Sequence, residues 1–474
     1  MNPSELSQLD ATDRAALVTR GEITAEELVI AACERLERLE PELGVLSSFW
    51  GAGAEAIATS LASEGPFRGV PFLMKDVGAR QIGQPYYAGN RVLRALDHRA
   101  EADTLLGARF RQLGFVTLGN SRSPEFGLQS NTWPLVQGPT RNPWDLRRSA
   151  GGSSGGACAA VAAGLVPVAH ASDGAGSIRI PASWCGLIGL KPSRDRIAWR
   201  HSGRQRADVE FVVARSLRDT AGLLDLLRPA GDRARHPTPY SEALARPPRP
   251  LRIGFCTRSP VDQPVTGECI EAVESTVARL EDLGHRVEDA APETFLEYEE
   301  RSLHGAVLGF LEYRECLRDL ETRIGRRVDP EDVEPFLWEL AHVDFGARTA
   351  ADIERSTRWL AGWENRTRVW FESFDLLVTP TVCEPAPDLD ELDPRRHAPL
   401  ELLGKMVPHM AFTEIWNATG QPAISLPLDR RREDGLPIGV QLVAPPGRDD
   451  RLIALAACLL PTQTSLPRVP PIHA

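Results

Sequence analysis

The sequence predicts one large α/β domain. Three observations carry that reading. Short apolar runs bounded by glycine and proline alternate with amphipathic helical segments along most of the chain. No internal repeat or low-complexity linker divides the 474 residues, and 42% hydrophobic against 25% charged content supplies ample material for a core. Length alone permits two or three modules or one large body. The unbroken alternation favours the single body, with PTPYSEALARPPRPLR (237–252) as a surface crossing.

Residues 4–40 read as two amphipathic helices, the second opened by Thr24 with Glu27 three positions on, a capping-box spacing. They form a helical cover within 1–65. In GPFRGVPFLMKD (65–76), turn residues precede a short apolar segment, so Lys75 is expected at the end of a buried strand. ADTLLGARFRQLGFVTLG (102–119) reads as helix, glycine turn and strand. RNPWDLRRSAGGSSGG is a polar loop, ACAAVAAGL a short helix of small residues, and VPVAHASD a strand that delivers the chain to GAGSIRIP. These motifs make 66–195 a core segment. From about 250, LRIGFC, CIEAVESTVARLEDLG and HRVEDA form a strand, helix, strand unit. Long amphipathic helices fill 297–375 without recognisable chemistry, and DLLVTPTV is a further buried strand. Residues 196–420 are read as the variable, substrate-facing part, and 421–474 as a last strand pair and helix that close the core.

A net charge of −11 argues against a nucleic-acid surface, which needs clustered positive charge, and favours a small-molecule partner. MNPSELSQLDATDR has neither a basic region nor an apolar core, and no run of about 18 apolar residues occurs, so a cytoplasmic chain without a membrane partner is expected. Eight dispersed cysteines without CxxC spacing read as free thiols, and ten scattered histidines imply no metal. The 54 basic residues include only three lysines, Lys75, Lys191 and Lys405. Arginine cannot give up its proton at accessible pH, whereas a desolvated lysine can, so each lysine is a candidate for chemistry.

Two glycine-cushioned serines, Ser153 in GGSSGG and Ser177 in SDGAGSIRIP, lie 24 positions apart. GGSSGGAC lacks the Lys-Ser/Thr ending of a phosphate loop, and GAGSIR lacks the third glycine of a dinucleotide fingerprint. Gly151–Gly155 fits G-x-S-x-G, but a nucleophile elbow needs a strand immediately before it, where this chain has PWDLRRSA. Plain flexible loops would explain neither the flanking buried strands nor the isolated lysine.

GGSSGG, the 24-residue spacing to the serine of SDGAGSIRIPAS, the following CGLIGLKPS and the upstream PFLMKD together resemble the amidase signature family of serine amide hydrolases. The resemblance extends from about residue 10 to 460 through PEFG, TRNPW, DLLVTPT and GQPAISLP, and VAHASDGAGSIRIPAS is also similar to the nylon-oligomer cyclic-amide hydrolases. It implies a central mixed β-sheet covered by helices on both faces. It further implies Ser177 as nucleophile, Ser153 as bridging serine after a cis Gly152–Ser153 peptide, and Lys75 as base, with no cofactor. Such a base must be neutral at rest, its pKa lowered by burial and a shortage of nearby carboxylates, and Asp76 must point elsewhere. Gly174, Ala175 and Gly176, with the Ser177 amide, would face the oxyanion. Ala175 stands where many members have glycine and would be strained if φ there were positive.

Ser154, Asp173 and Arg179 are expected to hold the loop by hydrogen bonds. His170, seven positions before Ser177, lies over 20 Å away along an extended strand at roughly 3.3 Å per residue and is read as structural. Lys191 carries no assigned chemistry and Lys405 reads as a surface charge. Trp199, Trp338, Trp359, Trp363, Trp370 and Trp416 either shape an apolar acyl pocket or, as tryptophans at helical spacing more often do, fill the core. The expected reaction is hydrolysis of a linear or cyclic amide through an acyl-enzyme, with esters cleaved by the same route. The alternatives are a glutamine-hydrolysing subunit of an amidotransferase and a catalytically silent binding protein. A homodimer is compatible with the reading.

Overall fold

The computed structural model describes residues 3–51, 53–197, 208–343, 349–464 and 468–474. Its core is an eleven-stranded mixed sheet among the described residues. In chain order the strands are β1 (Leu46–Phe49), β2 (Pro71–Lys75), β3 (Val116–Ser121), a separate ribbon of β4 (Arg141–Asn142) and β5 (Asp145–Ser149), then β6 (Val168–Asp173), β7 (Ile188–Lys191) and β8 (Val209–Ala214). The second half adds β9 (Arg252–Phe255), β10 (Arg286–Asp289), β11 (Leu376–Pro380), β12 (Ala423–Arg430) and β13 (Pro437–Val443). The order across the sheet is β1-β3-β2-β6-β8-β7-β12-β13-β11-β9-β10.

β2 runs parallel to both β3 and β6, whereas β8, β7, β12 and β13 are joined antiparallel. Every residue of β2, β3, β6 except Ser172, β8 and β13 is buried. Such strands read as continuous apolar runs because helices cover both their faces. The C-terminal ends of adjacent parallel strands form the crevice where α/β proteins hold ligands. Here β2 ends on Lys75 and β6 on Asp173.

The helix Gly155–Ala162 is buried at every position and packs on β6, β2 and the helix Arg179–Cys185. Its alanines and glycines allow that approach, since larger side chains would hold the backbones apart. The N-terminal cover consists of Pro3–Gln8, Ala11–Thr19 and Ala25–Leu43, one helix more than the sequence pattern suggests. The capping box is present: Thr24 Oγ1 accepts from the Glu27 amide at 3.1 Å, and Glu27 Oε2 accepts from the Thr24 amide at 2.8 Å. The 237–252 crossing contains a 3-10 turn at Tyr240–Ala245, whose Tyr240 is buried while most of the segment is exposed.

Trp363 and Trp416 are buried in a cluster with Phe295, Phe371 and the flanking Trp359 and Trp370, and Trp338 packs against a different group around Leu337. These tryptophans belong to the core; Trp199 lies outside the described residues. No described helix is long and apolar enough to cross a membrane. Removing the cap with Thr24→Ala is expected to cost about 1 kcal/mol. Thermal denaturation should show a lower apparent melting temperature with activity per folded molecule unchanged.

Candidate active site

Lys75 is 1% exposed, and its position follows from the strand that carries it. PFLMK is held between two parallel neighbours, and the Lys75 backbone N–H donates to Nδ1 of His170 on β6 at 3.2 Å. His170 therefore ties β2 to β6, in keeping with its structural reading. The Lys75 side chain leaves the strand end and donates from Nζ to Ser153 Oγ at 2.7 Å and to Ser172 Oγ at 2.8 Å. Asp76 points away: its carboxylate accepts from Ser47 Oγ at 2.6 Å and from the amides of Tyr87 and Gly89, each at 3.0 Å.

Burial pushes the Lys75 amine down to about 8 from its ordinary value, against the opposing pull of Asp208, Glu210 and Asp173. The expected shortage of carboxylates is thus not met. Asp208 and Glu210 line the same cavity, and desolvation of the amine outweighs them. Burial, with Glu312 and Glu210 nearby, in turn raises Asp208 to about 8.

The Gly152–Ser153 peptide is cis. Gly151 has φ +80°, and a Cβ there would fall 2.7 Å from Pro181 Cα, so glycine is what allows the GGSSGG turn to lie against the helix Arg179–Cys185. Ser154 Oγ donates to the Ser172 carbonyl at 3.2 Å and accepts from the Ser172 amide at 3.4 Å, tying the two serine loops together.

Ser177 lines a cavity of about 430 Å³ together with Ser153, Ser172, Gly174 and Ala175. Its hydroxyl makes no hydrogen bond to Ser153 among the described residues. Catalytic hydrogen bonds in a ligand-free site often close only when substrate is present. The apolar part of the lining is Phe126, Leu128, Ile180, Leu403, Met406 and Met410, where the tryptophans were one expectation. Glu312 and Tyr313, from the helical segment that showed no recognisable chemistry, also reach this cavity.

Asp173 and Arg179 are both fully buried and form a two-pronged pair, Nε to Oδ2 at 2.9 Å and Nη2 to Oδ1 at 2.8 Å. Burial alone would raise the Asp173 pKa, but Arg179 and further donors including Asn417 hold it at about 2. The same carboxylate accepts from the Gly176 amide at 2.7 Å and the Ile178 amide at 3.2 Å. This corrects one expectation: the Gly176 N–H is committed to Asp173 and does not face the cavity. Gly176 is needed for its shape, since at φ +129° a Cβ would sit 2.3 Å from Thr413 Oγ1. Ala175 does not adopt a positive φ, so the anticipated strain is absent.

Residues far along the chain complete the clasp. Thr413 Oγ1 donates to the Ala175 carbonyl at 2.6 Å, and Asn417 Nδ2 donates to the Asp173 carbonyl at 2.7 Å. Arg179 Nη1 reaches Gln441 Oε1 at 2.8 Å and the Thr413 carbonyl at 2.9 Å. Thr413, Asn417, Gln441, Ser172 and Asp208 were not singled out from the sequence, where nothing local marks them. Lys191 is buried behind this clasp, donates to the Pro192 carbonyl at 3.0 Å and is lowered to about 7 by burial. Lys405 is half-buried on the helix Pro399–Met410, less solvated than its sequence reading.

A profile of the amidase family matches residues 27–453. The chain belongs to the amidase family. This amidase is 40% identical over 473 residues to the 6-aminohexanoate-cyclic-dimer hydrolase of Paenarthrobacter ureafaciens, covering 95% of this chain and 94% of that one. The solved structure of a 6-aminohexanoate cyclic dimer hydrolase with its substrate superimposes with TM-score 0.89 at 36% identity, covering 99% and 100% of the two chains. A bacterial aryl acylamidase of the amidase signature family gives TM-score 0.82 at 26% identity over 95% of each. The mixed-sheet fold and amide hydrolysis as the reaction class are thereby shown.

Removing the Arg179 charge by Arg179→Met leaves Asp173 buried and uncompensated, at an expected cost of about 3–5 kcal/mol. Thermal denaturation and kcat, measured together, should both fall. Arg179→Lys keeps the charge but not the planar fork, so it is expected to restore only part of either.

Proposed function

We propose that this amidase cleaves carboxylic amides through an acyl-enzyme on Ser177, with Lys75 and Ser153 carrying the protons. The observation that carries the reading is the 2.7 Å hydrogen bond from a buried amine, lowered to about 8, to a serine that shares a cavity with Ser177. A serine hydroxyl is scarcely ionised at neutral pH and needs a base as it attacks. Neutral Lys75 takes the Ser153 proton while Ser153 takes that of Ser177. The Ser177 Oγ–C bond forms and the carbonyl becomes an oxyanion. Returning along the same relay, the proton passes to the amide nitrogen as the C–N bond breaks and the amine leaves. Water, deprotonated by the same relay, then attacks the acyl carbon; the Ser177 Oγ–C bond breaks, the relay returns the proton to Ser177 Oγ, and the acid leaves.

The amides of Gly174, Ala175 and Ser177, whose residues line the cavity, are the proposed oxyanion donors, with Gly176 removed from the set. One such donor is worth about 3 kcal/mol in the transition state. Ser154, Asp173 and Arg179 are proposed to hold the loop that presents them. The cavity falls within the range of small-molecule sites and has an apolar wall, which suits an aliphatic acyl chain. The cyclic dimer of 6-aminohexanoate, named for the relative at 40% identity, is therefore the first substrate to assay, beside linear aliphatic amides, anilides and the corresponding esters.

Ser177→Ala is expected to abolish both turnover and labelling by a fluorophosphonate, and mass spectrometry should place the adduct on Ser177 in the wild type. An adduct on any other side chain would overturn the assignment. Only the neutral amine can accept a proton, so kcat/KM is expected to rise with pH to a plateau, with its midpoint near about 8. Lys75→Met should lose this limb together with about 10²–10⁴ of the rate. A wild-type profile flat between pH 6 and pH 10 would exclude Lys75 as the base.

A further inference from the structure

A second chain of acid, imidazole and hydroxyl reaches the same cavity through different elements. His409, on the helix Pro399–Met410, lies with Nδ1 3.0 Å from Ser130 Oγ and Nε2 3.2 Å from Glu384 Oε1. Its ring is buried edge-to-face against Trp184, with centroids 4.8 Å apart. Ser130 is 3% exposed and lines the cavity that holds Ser177. Its backbone N–H is also engaged, donating to Met406 Sδ at 3.2 Å. Met406 and His409 are three positions apart on one helix face, so one helix grips Ser130 at both its amide and its hydroxyl.

The polarity of this chain runs in one direction. An ionised carboxylate only accepts hydrogen bonds, so the His409 tautomer that satisfies Glu384 carries its proton on Nε2. That leaves Nδ1 as a bare acceptor, and the Ser130 hydroxyl must donate to it. With its one proton spent, Ser130 Oγ can offer the cavity nothing but lone pairs. The carboxylates of Glu210, Glu312 and Glu414 line the same space and likewise offer acceptors, so this part of the wall suits a ligand that brings donors.

We propose that Ser130 orients the substrate as an obligate hydrogen-bond acceptor, its direction set by Glu384 through His409, and that it takes an N–H of the amide. This rests on the amide-hydrolase reading above. It adds a specificity element outside the Lys75–Ser153–Ser177 relay: a substrate with an N–H is held more tightly than the equivalent ester, which has none.

The test compares hexananilide with phenyl hexanoate, which share an acyl group and differ in the N–H. Ser130→Ala is expected to raise the ratio of the anilide KM to the ester KM about fivefold to tenfold, the worth of one hydrogen bond, with kcat changing less than the KM ratio. Ser130→Thr, which keeps the hydroxyl, should restore the ratio to within about threefold. His409→Phe, which frees the Ser130 proton but keeps the hydroxyl, should shift the ratio in the same direction by less than Ser130→Ala. An equal rise in KM for both substrates would reduce Ser130 to packing, and an unchanged ratio would also overturn the proposal. If the wild type turns over neither compound, they are not its substrates; the acyl-enzyme reading fails only if Ser177 is also not labelled by a fluorophosphonate. Ser130 is then judged by calorimetry in the Ser177→Ala background, where adding Ser130→Ala should weaken hexanamide binding at least fivefold and methyl hexanoate binding less; equal weakening would overturn it.

Discussion

The site depends on a lysine amine taken out of water. An isolated buried ammonium is costly, and a protein meets that cost by letting the group shed its proton or by pairing it. Lys75 is provided with two serine hydroxyls at hydrogen-bond distance, while the nearby carboxylates oppose its neutralisation without cancelling the effect of burial. The result is an amine pushed down to about 8 by burial. That value suits a base that must both take and return a proton near neutral pH. The placement of β2 between two parallel strands sets the depth at which this amine sits.

The second constraint is the Asp173–Arg179 pair. Two buried opposite charges gain little net stability when desolvation is counted, but breaking one partner is expensive, which makes such a pair a geometric lock. Asp173 uses its carboxylate to gather the Gly176 and Ile178 amides, while Arg179 spends its donors on Asp173, Asn417, Gln441 and the Thr413 carbonyl. The loop carrying Ser177 is thereby pinned between the end of β6 and a segment more than two hundred residues later. This clasp sits in a chain of the amidase family.

Much of this was legible in the residues themselves. Lys75 at the end of PFLMK, the capping box at Thr24, the small-residue helix after GGSSGG and the strand VPVAHASD all lie where local pattern puts them. These features depend on neighbours a few positions away. The Gly176 amide was misplaced because its partner choice depends on the orientation of Asp173, which Arg179, Asn417 and the rest of the clasp fix. The carboxylates around Lys75 were missed because Asp208 and Glu210 enter through β8, which pairs with β6 only once the sheet is assembled.

The sequence by itself determined the fold class, the amidase family resemblance and the two serines and the lysine proposed to carry the chemistry. Those follow from short-range periodicity and from motif residues whose spacing is written in the chain. Only the tertiary structure decided that Asp173 takes the Gly176 amide, which carboxylates lie around the amine, and that Ser130, His409 and Glu384 form one chain of hydrogen bonds. Hydrogen bonding and desolvation act over a few ångströms in space. Residues hundreds of positions apart meet at that range only after the sheet and its covering helices have packed.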